Sequence, residues 1–297
     1  MEKVLLVTGA SRLNGIGLAI CDKVLKEGLN YRVLMTCRNT VRGTPALRAL
    51  QEKYPHQRKQ IDMVQTDICQ KNSVKGLTDY LTKRNMKIDV LVNNAGIMYL
   101  ADEVRRDSKL LLARDVQNVN FSSTVALTET LKPFLNDNGK ILNMSSAVGP
   151  MTYQSCNPKL RKRLNNPELT KEELFQIKDE YLAAVEKGTL KEEGFPYWKN
   201  MWELKEFGPS KLFLQYMCGV WGRDPEIGGR NIQVNSMAPG IVDTDMMKQM
   251  TPPGGKNKLT PEEGTKTTMF LINKPWGAVA EEQGKFLDEN CKFWNPK

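Results

Sequence analysis

Histidine is almost missing from this chain: His56, beside Pro55 in a polar stretch, stands alone in 297 residues. A histidine-rich metal site is thereby excluded, and a Ser-His-Asp hydrolase would have to use this one imidazole, whose polar, proline-flanked setting gives no sign of a triad. Cysteine is sparse and scattered (Cys21, Cys37, Cys69, Cys156, Cys218, Cys291), with no Cys-x-x-Cys pair. Neither a zinc knuckle nor a disulfide scaffold is indicated, and a reducing, cytoplasmic setting fits. No run approaches the roughly eighteen uninterrupted apolar residues of a membrane-spanning helix. The start, Met1-Glu2-Lys3 leading straight into Val4-Leu5-Leu6-Val7, lacks the parts of a secretory signal. A soluble protein with no membrane partner is expected. A dense basic block is also lacking, since 43 lysines and arginines are interspersed with 34 acids for a net charge of +9. Nucleic acid is therefore not the expected partner, whereas an anionic small molecule is compatible.

What is present is a rhythm. Lys3 to Thr8, Tyr31 to Thr36, Ile61 to Thr66, Ile88 to Asn93, Lys140 to Met144 and Asn231 to Ser236 read as buried strands. Between them, Ile16 to Glu27 ends at Gly28, and Asn72 to Arg84 carries Val74, Leu77 and Leu81 at helical spacing. Strands alternating with crossover helices predict an α/β fold, a doubly wound parallel sheet, in a single domain over 1–297. The segment 151–206 breaks the rhythm: it is charged, strandless and too long for a connection, so it reads as a helical insertion. Thr170-x-x-Glu173 is a capping-box pattern, Leu174, Ile177, Tyr181 and Val185 follow on one face, and Gly188 stops the run.

Directly after the first strand comes Thr8-Gly9-Ala10-Ser11-Arg12-Leu13-Asn14-Gly15-Ile16-Gly17, leading into a helix. Glycines permit the tight turn, and the helix amino terminus offers free N–H groups to a pyrophosphate, so Gly9, Ser11, Gly15, Ile16 and Gly17 are candidate cofactor contacts. A fold of this kind that binds NAD places an acid about twenty residues on, for the ribose 2′-hydroxyl. Here that place holds Thr36-Cys37-Arg38. With no carboxylate to repel a 2′-phosphate and a guanidinium able to grip it, NADP(H) is the expected cofactor, with Arg12 a candidate second partner.

Asn93-Asn94-Ala95-Gly96, Asn120, Ser145-Ser146, Lys211 in Phe-Gly-Pro-Ser-Lys, and Pro239-Gly240-Ile241-Val242-Asp243-Thr244 follow in that order. Together with the glycine loop they resemble the short-chain dehydrogenase/reductase family over nearly the whole chain. The insertion before Lys211, Cys37-Arg38 with Val41-Arg42-Gly43, and Pro261-Glu262-Glu263-Gly264 are similar to its carbonyl-reductase branch, which includes plant alkaloid and monoterpenoid ketone reductases. The resemblance implies that Asp67, with Ile68, holds the adenine end. Asn94, Ala95 and Gly96 pass under the adenosine ribose, while Pro239, Gly240, Val242 and Thr244 line the nicotinamide. It further implies that Ser146 hydrogen-bonds the substrate oxygen, that Lys211 binds the nicotinamide ribose and lowers a nearby phenol's pKa, and that Asn120 holds a water in a proton relay. The substrate class so implied is a small hydrophobic ketone or aldehyde, and the insertion covers the surface on which relatives form tetramers, so a monomer is expected.

Two features depart from the pattern. Gly9 and Gly15 are separated by five residues where the family has three. More consequentially, Phe207 stands where the family has its tyrosine acid, four residues before the lysine. Loss of general acid catalysis removes about 10²–10⁴-fold in rate, about 3 to 5 kcal/mol of barrier. Three readings stay open: a carbonyl reductase bearing a tyrosine-to-phenylalanine exchange, an enzyme with another proton source or reaction such as conjugate reduction of an enone, and an NADP(H)-binding sensor or scaffold without turnover. Candidate donors on the insertion are Tyr153, Tyr197, Glu203 and Glu206. Its aromatics, Phe175, Tyr181, Phe195, Tyr197, Trp198 and Trp202 with Met201, are candidates for the wall of an apolar substrate pocket.

Overall fold

The computed structural model describes residues 2–99, 109–197, 206–248, 257–277 and 279–294. Seven strands, β1 Lys3–Val7, β2 Tyr31–Cys37, β3 Ile61–Gln65, β4 Ile88–Asn93, β5 Leu135–Met144, β6 Gln233–Met237 and β7 Phe286–Leu287, form one sheet. Their order is β3-β2-β1-β4-β5-β6-β7, and all neighbours run parallel. The expected doubly wound α/β sheet is thus found. Its order reverses between β1 and β4, which opens a crevice beyond the carboxyl ends of those strands.

Period-two alternation sends the apolar side chains of each strand to opposite faces. Leu6, Leu34, Leu91, Ile141 and Val234 join one core, and Leu5, Val7, Val33, Val90, Val92 and Leu142 the other. Burial on both faces explains why these strands read as apolar runs. Each such side chain contributes roughly 1.5–3 kcal/mol by leaving water.

The boundaries differ from expectation in three places. Strand β5 begins at Leu135 rather than Lys140, pairing Leu135 with Ile88 across a register shift. Strand β6 begins at Gln233 rather than Asn231, because Asn231 caps a 3-10 turn in the left-handed conformation (φ 57). Strand β7 was not anticipated, being two residues long. The first helix, α1 (Ile16–Lys26), and the third, Lys71–Lys83, fall where the periodicity put them.

Three helices, Val148–Ser155, Pro158–Leu164 and Lys171–Lys187, account for most of the described insertion. Thr170 caps the last of them by accepting from the Glu173 N–H at 3.1 Å. The Glu173 carboxylate is paired with Arg163 at 3.0 Å. Gly188 ends the helix at φ 72. Leu160, Leu164, Leu174, Ile177 and Tyr181 belong to the same core as Leu6, Phe121, Leu212 and Phe213, so the insertion is built into the body. Among the described residues no helix is long and apolar enough to cross a membrane, and no group of three or more His, Cys, Asp or Glu is placed to hold a metal.

Candidate active site

The glycine loop and the β4 end are stitched together. Asn94 donates from Nδ2 to the Thr8 carbonyl at 2.8 Å, and the Thr8 hydroxyl accepts from the backbone N–H groups of Asn94 (3.0 Å) and Ala95 (2.9 Å). Gly9 turns at φ +69, and a Cβ there would stand 2.8 Å from Ala95 Cα. A Cβ at Gly17 would meet Asn94 Nδ2 at 2.5 Å. These glycines therefore serve the close approach of loop, helix and strand. Helix α1 opens after Gly15 with no side-chain cap and no acid in its first turn. Its first N–H groups are therefore open to an anion or to water.

The lengthened loop reaches across the crevice. Arg12 pairs with Asp245 at 2.7 Å, and Asn14 Nδ2 donates to the Asp243 carbonyl at 2.8 Å. Arg12 is thereby partly committed to a carboxylate. Arg38, at the end of β2, is exposed. Its backbone carbonyl accepts from Gln65. Asp67 is half-buried, and its Oδ1 accepts from the Cys69 N–H at 3.0 Å. Ile68 packs on the core beneath it.

At the β5 end, Ser146 Oγ accepts from the Val148 N–H at 3.2 Å, which leaves its own proton to give. Lys211, on the helix Phe207–Arg223, is buried, and its Nζ donates to the Met144 carbonyl at 2.8 Å. Burial pulls this ammonium down to about 8. Nζ also stands 5.1 Å from the centre of the Phe207 ring, within cation–π range. Asn120 lies in a π-helical turn, Asn118–Ser123. Its Oδ1 accepts from the Ile97 N–H (2.8 Å), while its Nδ2 donates to the Ile97 carbonyl (2.9 Å) and to Ser210 Oγ (3.2 Å). A Cβ on Gly96 would come 3.1 Å from Asn120 Oδ1 and 3.6 Å from Lys211 Nζ, which brings those three together. The Asn120 side chain thus anchors the segment after β4, a task the resemblance did not suggest.

Phe207 forms a separate apolar cluster with Met98, edged by Val148, Met246 and Met247. On the far side, Gly240 (φ +80) and Val242 shape the loop after β6; Val242 bridges to Leu259, and Thr244 is buried. Pro239 is half-buried beside them. Of the other proton donors, Tyr153 is held by Asn165 at 2.5 Å and packed on Tyr216 and Trp294. Tyr197 is exposed. Glu206 is buried, and its backbone carbonyl accepts from Gln117. Glu203, Trp198, Met201 and Trp202 lie outside the described residues. Phe175, Tyr181 and Phe195 pack with Phe121 and Phe213 in the core rather than with Phe207.

A family model described as short chain dehydrogenase matches residues 3–158. Carbonyl reductase 1 (NADPH) of Rattus norvegicus is 30% identical over 294 residues, covering 98% of this chain and 98% of that protein. The chain belongs to the short-chain dehydrogenase family. Two solved structures share its fold: salutaridine reductase of Papaver somniferum (TM-score 0.76, 23% identity, covering 96% of this chain and 99% of that one), and menthone neomenthol reductase of Mentha piperita (TM-score 0.76, 21% identity, 97% and 99%).

Within this short-chain dehydrogenase, sequence reading missed Gln215. Its Nε2 donates to Ser145 Oγ at 2.9 Å and to the Ser146 carbonyl at 3.0 Å, while Ser145 Oγ donates to the Lys211 carbonyl at 3.1 Å. A Cβ on Gly149 would come within 2.4 Å of the Gln215 amide, so the helix Val148–Ser155 is seated against it. The signal was available: Gln215 is one helical turn beyond Lys211 and shares its face. The Met246-Met247 doublet was a second such signal.

Proposed function

We propose that this chain is an NADPH-dependent reductase of a small hydrophobic carbonyl compound. The observation that carries the reading is the gathering of buried Lys211, half-buried Ser146 and the Asn120–Gly96 corner beyond the carboxyl ends of β4 and β5. The near full-length likeness to a protein named for NADPH and carbonyl reduction supports it.

A dinucleotide fits the residues present, because the start of α1 has no side-chain cap and can accept an anion, and Arg38 is exposed at the end of β2. In this reading Gly9, Ser11, Gly15, Ile16 and Gly17 cradle the pyrophosphate, and Arg38 takes the 2′-phosphate, with Arg12 as a lesser partner. Asp67 and Ile68 hold the adenine end, Asn94 to Gly96 border the ribose, and Pro239 to Thr244 border the nicotinamide. The reduced nicotinamide supplies a hydride when bound. The chain's own work is then to orient and to manage a proton. Ser146 Oγ donates to the substrate oxygen as negative charge develops there. Met98, Val148, Phe207, Met246 and Met247 exclude water, which strengthens that interaction. The same reading takes the protein as a cytoplasmic monomer, and sedimentation tests the monomer.

Phe207 favours a second reading, conjugate reduction of an enone, because a phenyl ring gives no proton to a carbonyl oxygen. Stopped-flow NADPH oxidation over a panel of hydrophobic ketones and enones, run on this chain and on Phe207→Tyr, decides between the two. A large gain with ketones on restoring tyrosine supports carbonyl reduction, and enone turnover already present in this chain supports the second reading. Tight NADPH binding with no oxidation by either protein refutes both.

A further inference from the structure

We propose that Lys211 is itself the proton donor of this enzyme, taking the part that a tyrosine at position 207 would otherwise play. The proposal rests on the carbonyl-reductase reading and deepens it.

The geometry starts from what Phe207 does. Its side chain is 9% exposed and packs with Met98 and the edge formed by Val148, Met246 and Met247. Among the described residues, Lys211 Nζ stands over that ring, 5.1 Å from its centre. Only one of its three N–H bonds is spent in the described hydrogen bonds, on the Met144 carbonyl. Gly96 leaves room beside the ammonium: a Cβ there would stand 3.6 Å from Nζ. Of the other described candidates, Tyr153 is held by Asn165 and its ring neighbours, Tyr197 is exposed, and Glu206 is buried beside Phe207 and remains the competing donor.

Burial makes the group fit for the task. An ordinary lysine holds its proton too tightly to act as an efficient acid near neutrality, whereas burial brings Lys211 down to about 8. A general acid works best when its pKa lies near the operating pH. The elements packed around it present Tyr153, Tyr181, Tyr216, Cys218 and Glu206 as titratable groups. None of them contributes to the shift, whose cause is burial alone.

The balance is simple. The carbonyl carbon gains the hydride that a reduced nicotinamide supplies, and the C=O π pair becomes a lone pair on oxygen. That oxygen takes a proton from Nζ, the N–H bond breaking as the O–H bond forms. Lys211 is left as the neutral amine and regains its proton from water, while the nicotinamide leaves oxidised.

The test has two independent readouts. The first is the titration of the Lys211 ε-carbon followed by NMR in lysine-labelled protein, assigned by its disappearance in Lys211→Arg. The second is the pH dependence of single-turnover NADPH oxidation with benzil, an apolar diketone, with NADPH affinity measured separately by fluorescence. We expect the rate to fall as pH rises, with a midpoint coinciding with the NMR titration near 8. We also expect Lys211→Arg, which keeps the charge but holds its proton, to lose at least about a hundredfold in rate while NADPH still binds. A rate that is flat between pH 7 and 9.5, a midpoint apart from the NMR value, or oxidation that appears only in Phe207→Tyr overturns the proposal and leaves the carbonyl-reductase reading standing. Absence of NADPH binding in this chain and in Phe207→Tyr overturns both.

Discussion

Replacing Arg38 with aspartate should separate the two nicotinamide coenzymes by their 2′-phosphate alone. Arg38 is exposed at the carboxyl end of β2 and makes no ion pair among the described residues, so the contact forms in a water-like dielectric. There, two unit charges about 4 Å apart interact by roughly 1 kcal/mol. Exchanging +1 for −1 opposite a phosphate of nearly two negative charges changes the charge product by about four, hence about 3–4 kcal/mol before salt screening. Loss of charge-assisted hydrogen bonds acts in the same direction. NADPH affinity should therefore fall by about 10²–10³-fold, whereas NADH, which lacks that phosphate, should change by less than about tenfold. Fluorescence titration of both coenzymes at low and high salt measures this, and the NADPH penalty should shrink as salt rises. Equal losses for the two coenzymes would refute the assignment of the 2′-phosphate to Arg38.

Two further outcomes concern what lies behind the site. Lys140, fully buried in β5, donates to the carbonyls of Leu271 (2.7 Å), Ile272 (3.0 Å) and Lys274 (2.8 Å), closing the end of the helix Lys266–Asn273. Lys140→Met should cost about 2–4 kcal/mol in denaturant unfolding, the orphaned carbonyls outweighing relief of the buried charge. Burial, then Lys3 and Lys274, pull this ammonium from 10.5 to about 8. The unfolded chain therefore binds the proton more strongly, and stability should rise from pH 8 to 10.5; Lys211, drawn down to about 8 in the same way, shares that slope, so Lys140→Met should lower it by about half, and an unchanged slope would exclude Lys140 as a source. Gln215→Leu should leave NADPH affinity intact and cost about 1 kcal/mol of stability, yet lower the single-turnover rate by about ten- to a hundredfold as Ser146 drifts from Lys211. An undiminished rate would show that the Ser145–Ser146 turn holds itself.

The sheet was legible because its strands are buried on both faces, and their apolar runs survive any one-residue error. Strand β7 was not, since Phe286–Leu287 is too short to show a period. The site was legible as far as local chemistry reaches: a glycine loop before a helix, an arginine where an acid would favour NAD, a lysine one turn from a phenylalanine. Pairings over long separations were not. Nothing near Arg12 announces Asp245, nor does Asn120 announce Ile97, because both contacts are set by which strand ends meet at the crevice. Three of the insertion's candidate wall residues, Phe175, Tyr181 and Phe195, lie in or against the core for a related reason. Their spacing reports a buried face without saying which surface buries it, and Tyr181 and Phe195 turn out to lie against Phe213.

Because Leu160, Leu174, Ile177 and Tyr181 share one core with the helix that carries Lys211, the extra helices are masonry and not a visor. Drift in their inward residues would be felt first as lost thermal tolerance. Taste for a new compound is cheaper to acquire at Met98, Val148, Met246 and Met247, flexible or small side chains on the rim that no strand depends upon. Natural variation in substrate preference should gather there, while the aromatic interior of the insertion stays fixed.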